Sequence, residues 1–205
     1  MKVFLVAHTP KPEQVVAMGS KLCYSADSLE SIVMNDMADS EVQRRVRQLY
    51  KLGHLSPFEH ASFTFGIEGV SRALLAQITR HRTGKFSVRS QRYVDESSFE
   101  FVVPKAVIEN EEVKASYLEM MERISQAYAK MRELGINKED ARSILPNACT
   151  TQMLFTIDAR NLLNFFKLRL DKTAQAEIRE LANKMLELVK DVAPTMFEGV
   201  EATEV

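Results

Sequence analysis

Apolar positions along this chain change period several times, and each change marks an element. Lys2–His8 carries the apolar run Val3 to Ala7 and reads as a short strand, followed by a helix over residues 10–22. A second helix is expected over Asp39–Leu52, with Gly53 placed where a helix-ending glycine belongs. The period then drops to two, as Phe63, Phe65 and Ile67 alternate with Ser62, Thr64 and Glu68 in the manner of a half-buried strand. Residues 71–81 return to helical character, and residues 83–103 read as loop plus strands. From Glu111, apolar side chains at Val113, Tyr117, Met120, Ile124, Tyr128, Met131 and Leu134 recur every three or four residues, predicting one long amphipathic helix closed by Gly135. A short helix over residues 138–143 stops near Pro146. Thr151 to Ile157 reads as a strand, and Asp158 sits where an N-cap would open a helix over residues 159–170. A last helix over residues 173–192 buries Ile178, Leu181, Met185, Leu188 and Val192.

Helices and strands do not alternate strictly, so the expected class is α+β, a helix-rich single domain with a mixed or antiparallel sheet. The chain has 205 residues, enough for one domain with a sizeable core. No GxGxxG occurs, so a Rossmann nucleotide loop is excluded. With 27 basic and 28 acidic side chains the net charge is −1, which gives no field drawing the whole surface to nucleic acid. No stretch is long and apolar enough to span a membrane, the start lacks a secretory signal pattern, and the two cysteines, Cys23 and Cys149, form no CxxC pair. The expected location is cytoplasmic, and both thiols are expected to be structural.

Charge becomes informative locally. Between Arg80 and Arg92, four arginines and one lysine fall within thirteen residues of a chain that is net negative. Arginine offers a fixed fork of donors matched to phosphate oxygens, and Ser87, Ser90 and Gly84 leave room for a phosphate-bearing ligand. A solvated basic loop or an RNA-binding patch would fit the charge equally well. Gln77, Arg80 and His81 are spaced three and four apart, which on a continuing helix would place them on one face. His54, Glu59, His60 and His81 match no metal-binding spacing, so no metal site is expected.

Arg80-His81-Arg82, a gap of seven residues, then Ser90 with Arg92-Tyr93 resembles the signature of flavin-dependent thymidylate synthases. Further blocks are similar to that family in the same order: His54 to His60, Ala141-Arg142 to Pro146, Asp158 to Arg169, and Ala174 to Ile178. The resemblance implies reductive methylation of dUMP to dTMP. FAD would carry the hydride, methylenetetrahydrofolate would donate the carbon, and NADPH would be the reductant. It also implies a homotetramer with sites between subunits. It assigns dUMP to Gln77, Arg80, Arg89, Ser90, Gln91, Arg92, Arg142 and Arg169, with Arg169 also the main catalytic residue. Flavin falls to His54, Ser56, Glu59, Arg80, His81, Arg82, Asp158, Arg160 and Asn164.

The residues bear on this reading directly. Neither cysteine has a neighbouring base in sequence, which suits hydride chemistry and not thiol attack on uracil. Ser90 lacks a general base and reads as a ligand. Leu162, Leu163, Phe165, Phe166, Leu168 and Leu170 point nearly all round their helix, so Arg169 would lie on a buried helix and need a partner there, a carboxylate or a ligand. Asp158 is a flavin ligand or an N-cap; the family usually has Asn there. Lys85, Ser87 and Val88 also depart from the family's usual residues, and Cys23-Tyr24 stands where some members have a serine. The alternative, an RNA-binding module built on Arg80–Arg92, has only Phe86 and Tyr93 as stacking platforms.

Overall fold

The computed structural model describes residues 1–204. In chain order the elements are β1 (Lys2–His8), α1 (Pro12–Tyr24), α2 (Leu29–Met34), α3 (Asp39–Leu52), a 3-10 turn at Ser56–His60, β2 (Ser62–Ser71) and α4 (Arg72–Ile78). They continue with β3 (Lys85–Val88), α5 (Lys105–Ile108), α6 (Glu111–Glu133), α7 (Lys138–Ala141), a 3-10 turn at Arg142–Ile144, β4 (Thr150–Asp158), α8 (Ala159–Arg169) and α9 (Ala176–Val192). The four strands form one antiparallel sheet ordered β1-β2-β4-β3, so the expected helix-rich α+β class holds. Among the described residues, no helix is long and apolar enough to cross a membrane.

Alternation decides how the central strands sit. Phe63, Phe65 and Ile67 of β2 and Thr151, Met153, Phe155 and Ile157 of β4 are all buried, while the residues between them are more open. On the opposite face Thr64 and Thr156 meet hydroxyl to hydroxyl at 2.9 Å. The outward positions also include Phe4, Val6 and Leu154, which are 52%, 58% and 47% exposed.

Residues gather into two compact units. The first comprises Met1–Lys2, Ile67–Arg80 and Ser87–Met153. Its core holds Phe99, Met121 and Cys149, with Phe101, Tyr117, Ile124, Leu145 and Ala148 packed around them. The second comprises Val3–Gly66, His81–Phe86 and the described residues from Leu154. Its core is aromatic: Phe63, Phe155, Phe165, Phe166 and Phe197 are fully buried, and rings pair at 5.7 Å (Phe63–Phe197), 5.8 Å (Phe165–Phe166) and 5.8 Å (Phe166–Phe197). Burying each such ring is worth roughly 1.5–3 kcal/mol. Each strand contributes residues to both units; β2, for example, gives 62–66 to one and 67–71 to the other.

Two sequence expectations change here. Helix α4 stops at Ile78, capped by Thr79, whose hydroxyl bonds back to the Leu75 carbonyl at 2.8 Å. Arg80 and His81 therefore lie beyond the helix, and the shared helical face expected for Gln77, Arg80 and His81 does not form. Helix α8 is not apolar all round either. Ala159, Leu162, Leu163, Phe165 and Phe166 make one broad buried face, while Leu168 is 49% exposed.

Candidate active site

In the first unit the basic segment turns tightly after β3. The Ser90 carbonyl accepts from the amides of Tyr93 at 3.2 Å and Val94 at 3.0 Å, and the Ser90 hydroxyl accepts from the Arg92 amide at 3.2 Å. That turn presents Arg92 to solvent, where its Nε meets Glu139 Oε2 at 2.5 Å. Arg142, also exposed, donates from Nε to the Glu139 carbonyl at 3.1 Å. Lys138 Nζ donates to the Tyr93 carbonyl at 3.1 Å. Ser90, Arg92 and Arg142 are thus tied to one neighbourhood through α7, although the last two are about fifty residues apart in sequence.

Other members of the expected nucleotide set go elsewhere. Gln91 is buried and its amide donates to Cys149 Sγ at 3.4 Å. Arg89 pairs its backbone amide with the Gln152 carbonyl at 3.0 Å and lines a different small cavity, with Lys2, Glu68, Glu100 and Thr151. Gln77 lies in the last turn of α4, and exposed Arg80 follows it, its amide reaching the Gln77 carbonyl at 3.4 Å.

The Cys149 thiol is fully buried, and burial first, with the Glu96 carboxyl adding to it, pushes it up to about 11. It is a packed thiol and no nucleophile at neutral pH. Cys23, by contrast, is exposed at the end of α1.

In the second unit Arg169 and His81 meet. Arg169 Nε donates to His81 Nε2 at 3.0 Å, so that ring nitrogen carries the lone pair and the imidazole is neutral. Burial chiefly, and then the Arg169 charge, lower the His81 pKa to about 4, in agreement with that geometry. His81 is 8% exposed and sits edge-on to Phe165 at 5.0 Å between ring centres. The partner expected for Arg169 on its helix thus includes a neutral ring from the Arg-His-Arg segment. Asp171, two residues further along the chain, accepts from the Thr173 hydroxyl at 2.6 Å.

Of the remaining flavin candidates in this unit, His54, Ser56, Glu59, Arg82, Arg160 and Asn164 are exposed and Asp158 is half-buried. Arg160 Nη1 pairs with Glu59 Oε1 at 2.5 Å, joining α8 to the 3-10 turn that also carries Ser56. His54 Nδ1 and the Tyr24 hydroxyl are 2.8 Å apart. Asp158 caps α8: its Oδ1 accepts from the Asn161 amide at 3.0 Å and its Oδ2 from the Asn161 side chain at 2.7 Å. Asn164 lines a cavity of about 700 Å³ with Tyr50, Leu55, Leu163, Phe166, Lys167 and Leu170. Arg82 is exposed on the loop before β3. Among the described residues, no group of three His, Cys, Asp or Glu side chains is placed to hold a metal ion.

Sequence reasoning missed Glu139, which engages two of the expected dUMP ligands, and Tyr24, which holds His54. Neither stands out locally, because Glu139 is one of three charged residues opening α7 and Tyr24 ends an ordinary helix. The RNA-binding reading loses one of its two stacking platforms. Phe86 lies parallel to Phe155 with ring centres 4.8 Å apart, so it serves the core.

Comparison with known proteins agrees with the sequence motifs. Residues 4–195 match the family described as Thymidylate synthase complementing protein. A protein named flavin-dependent thymidylate synthase from Clostridium tetani is 41% identical over 97% of this chain and 86% of its own. One of the same name from Geobacter sulfurreducens is 44% identical over 96% of this chain and 85% of its own. A solved structure, a UMP/dUMP methylase PolB from Streptomyces cacaoi bound with 5-Br dUMP, superposes with a TM-score of 0.83 at 22% identity. It covers 100% of this chain and 97% of its own, a likeness of fold.

Proposed function

The chain belongs to the flavin-dependent thymidylate synthase family, and from that premise we propose that it converts dUMP to dTMP by reductive methylation. The carbon comes from methylenetetrahydrofolate, and FAD reduced by NADPH is the hydride carrier. One observation carries the reading furthest. Arg169 and His81, 88 positions apart and each inside a family block, are hydrogen-bonded at 3.0 Å. That hydrogen bond orients the guanidinium, and a positive charge so placed would stabilise electron density pushed into a uracil carbonyl.

Phosphate recognition falls to the first unit, with Arg92 and Arg142 as cations and Ser90 beside them; the proposed nucleotide set also holds Gln77, Arg80, Arg89 and Gln91, of which Gln91 here turns its amide to Cys149 and Arg89 lines a separate cavity. Flavin recognition falls to His54, Ser56, Glu59, Arg80, His81, Arg82, Asp158, Arg160 and Asn164. The donor set there suits a pyrophosphate-bearing cofactor with polar ring edges. Arg82 and Arg160 supply charge, His54, Ser56 and Asn164 supply hydrogen-bonding groups, and apolar walls lie beside Asn164. Bound FAD supplies the hydride chemistry, and the protein contributes binding, orientation and charge. The Glu59–Arg160 pair fixes the arginine, His81 positions Arg169, and Asp158 acts first as a helix cap.

A homotetramer is part of this proposal, supported by the exposed Phe4, Val6 and Leu154 on one sheet face, a patch of the kind that marks association. A single domain is retained too, because every strand runs through both units. So is a cytoplasmic location.

The test is a dTMP assay with purified protein, dUMP, methylenetetrahydrofolate, FAD and NADPH, omitting each component in turn. Product that requires all of the first four supports the proposal. No dTMP from the complete mixture rejects it, and product without NADPH but with another reductant revises only the electron source.

A further inference from the structure

Arg92 does not lie idle in the first unit. Its Nε is engaged by Glu139 Oε2 at 2.5 Å, and the same residue's carbonyl accepts from Arg142 Nε at 3.1 Å. Glu139 therefore touches both cations assigned to the nucleotide phosphate, one through its carboxylate and one through its backbone. The groove around it, about 410 Å³, is lined by Arg92, Tyr93, Arg132, Asn137, Lys138 and Glu139. Two of its cations are already occupied, Arg132 by Asp95 at 3.2 Å and Lys138 by the Tyr93 carbonyl at 3.1 Å.

A carboxylate and a phosphate ask the same thing of a guanidinium, two oxygens in the plane of its fork. Both cannot occupy the Arg92 Nε at once.

We infer that Glu139 is a built-in competitor for the substrate phosphate: nucleotide binding exchanges its carboxylate on Arg92 for a phosphate oxygen, so Glu139 sets dUMP affinity. The inference rests on the assignment of Arg92 to the dUMP phosphate. The exchange is easy to make. The Arg92 and Glu139 side chains are 58% and 42% exposed, and an ion pair so open to water is worth a factor of about two to five in an equilibrium constant. The phosphate, with more charge than a carboxylate, wins, but against a standing cost. The backbone contact to Arg142 does not depend on the side chain, so removing the carboxylate leaves that arginine in place.

Direct titration of the FAD-loaded enzyme with dUMP tests this, using Glu139→Gln, Arg92→Ala and the double variant, with inorganic phosphate as a competing probe. Glu139→Gln is expected to tighten dUMP about two- to fivefold, to show in KM and not in kcat, and to tighten inorganic phosphate by the same factor. Arg92→Ala should weaken dUMP, and in its background Glu139→Gln should have no effect. If Glu139→Gln weakens dUMP or leaves it unchanged while Arg92→Ala still weakens it, Glu139 is no competitor and the phosphate assignment survives. If Arg92→Ala leaves dUMP affinity intact, the assignment itself falls and the inference with it. Thermal denaturation of each variant separates a binding effect from loss of the short α7.

Discussion

Arg169 is a half-buried cation at the end of α8, and a neutral imidazole 3.0 Å away accepts a hydrogen bond from its Nε. The neutral acceptor orients the guanidinium without itself adding a counter-charge. Replacing Arg169 by Ala should therefore lower kcat/KM for dUMP on the order of 10²- to 10³-fold, the loss typical of one electrostatic donor, with an unchanged circular dichroism spectrum. Turnover near the wild-type rate would remove Arg169 from the mechanism.

His81 makes a second prediction with a definite sign. Its folded pKa, about 4, lies below the ordinary value of 6.5, so below pH 6.5 the unfolded chain takes up a proton that the folded chain refuses. Stability should fall as pH drops from 6.5 towards 4 and level off below that. Between pH 7 and pH 5 this one group accounts for at most about 2 kcal/mol. Urea denaturation of wild type and His81→Gln at the two pH values measures it. The wild type should lose more stability than the variant, and equal losses would contradict a buried neutral His81. At this scale the sequence was partly legible: Arg169, His81 and Arg92 could each be singled out, but a contact across 88 residues leaves no local mark. Nor did anything near Gln91 signal that its amide would turn inward to Cys149.

Elements with strong period and clear punctuation were readable to the residue. Asp39–Leu52 shows why: Val42, Val46 and Leu49 stripe one face, and Gly53 closes the helix at φ 70°, a left-handed backbone that suits glycine. Helices α2 and α5, six and four residues long, passed unread because a helix so short completes too few turns to show a stripe. Helix α4 was read too long, since the apolar spacing continues to Ile78 while the stop depends on the Thr79 hydroxyl.

Two substitutions test the element-level account. Asp158→Ala removes both bonds to Asn161 and should cost about 1 kcal/mol in chemical denaturation, whereas Asp158→Asn, which keeps a capping oxygen, should cost much less. Equal costs would deny the cap. Gly84 allows a close approach: a Cβ there would lie 2.4 Å from Phe155 and 3.1 Å from Phe86. Gly84→Ala should therefore destabilise the protein by about 1–3 kcal/mol through overpacking, and a variant as stable as wild type would mean that this loop does not press on β4.

For the whole molecule, class and family were legible because they rest on many residues at once. The fold class needed only the absence of βαβ alternation, and the family needed several blocks in order. The division into two units was not legible, because each strand belongs to both and no linker of distinct composition separates them. The central claim is that this chain binds both FAD and dUMP, as a flavin-dependent thymidylate synthase would. Its most direct test is the visible absorption spectrum of purified protein after loading with FAD and removal of free flavin, recorded with and without dUMP. The account predicts retained flavin whose spectrum shifts when dUMP is added. A colourless protein that does not respond to dUMP would contradict it.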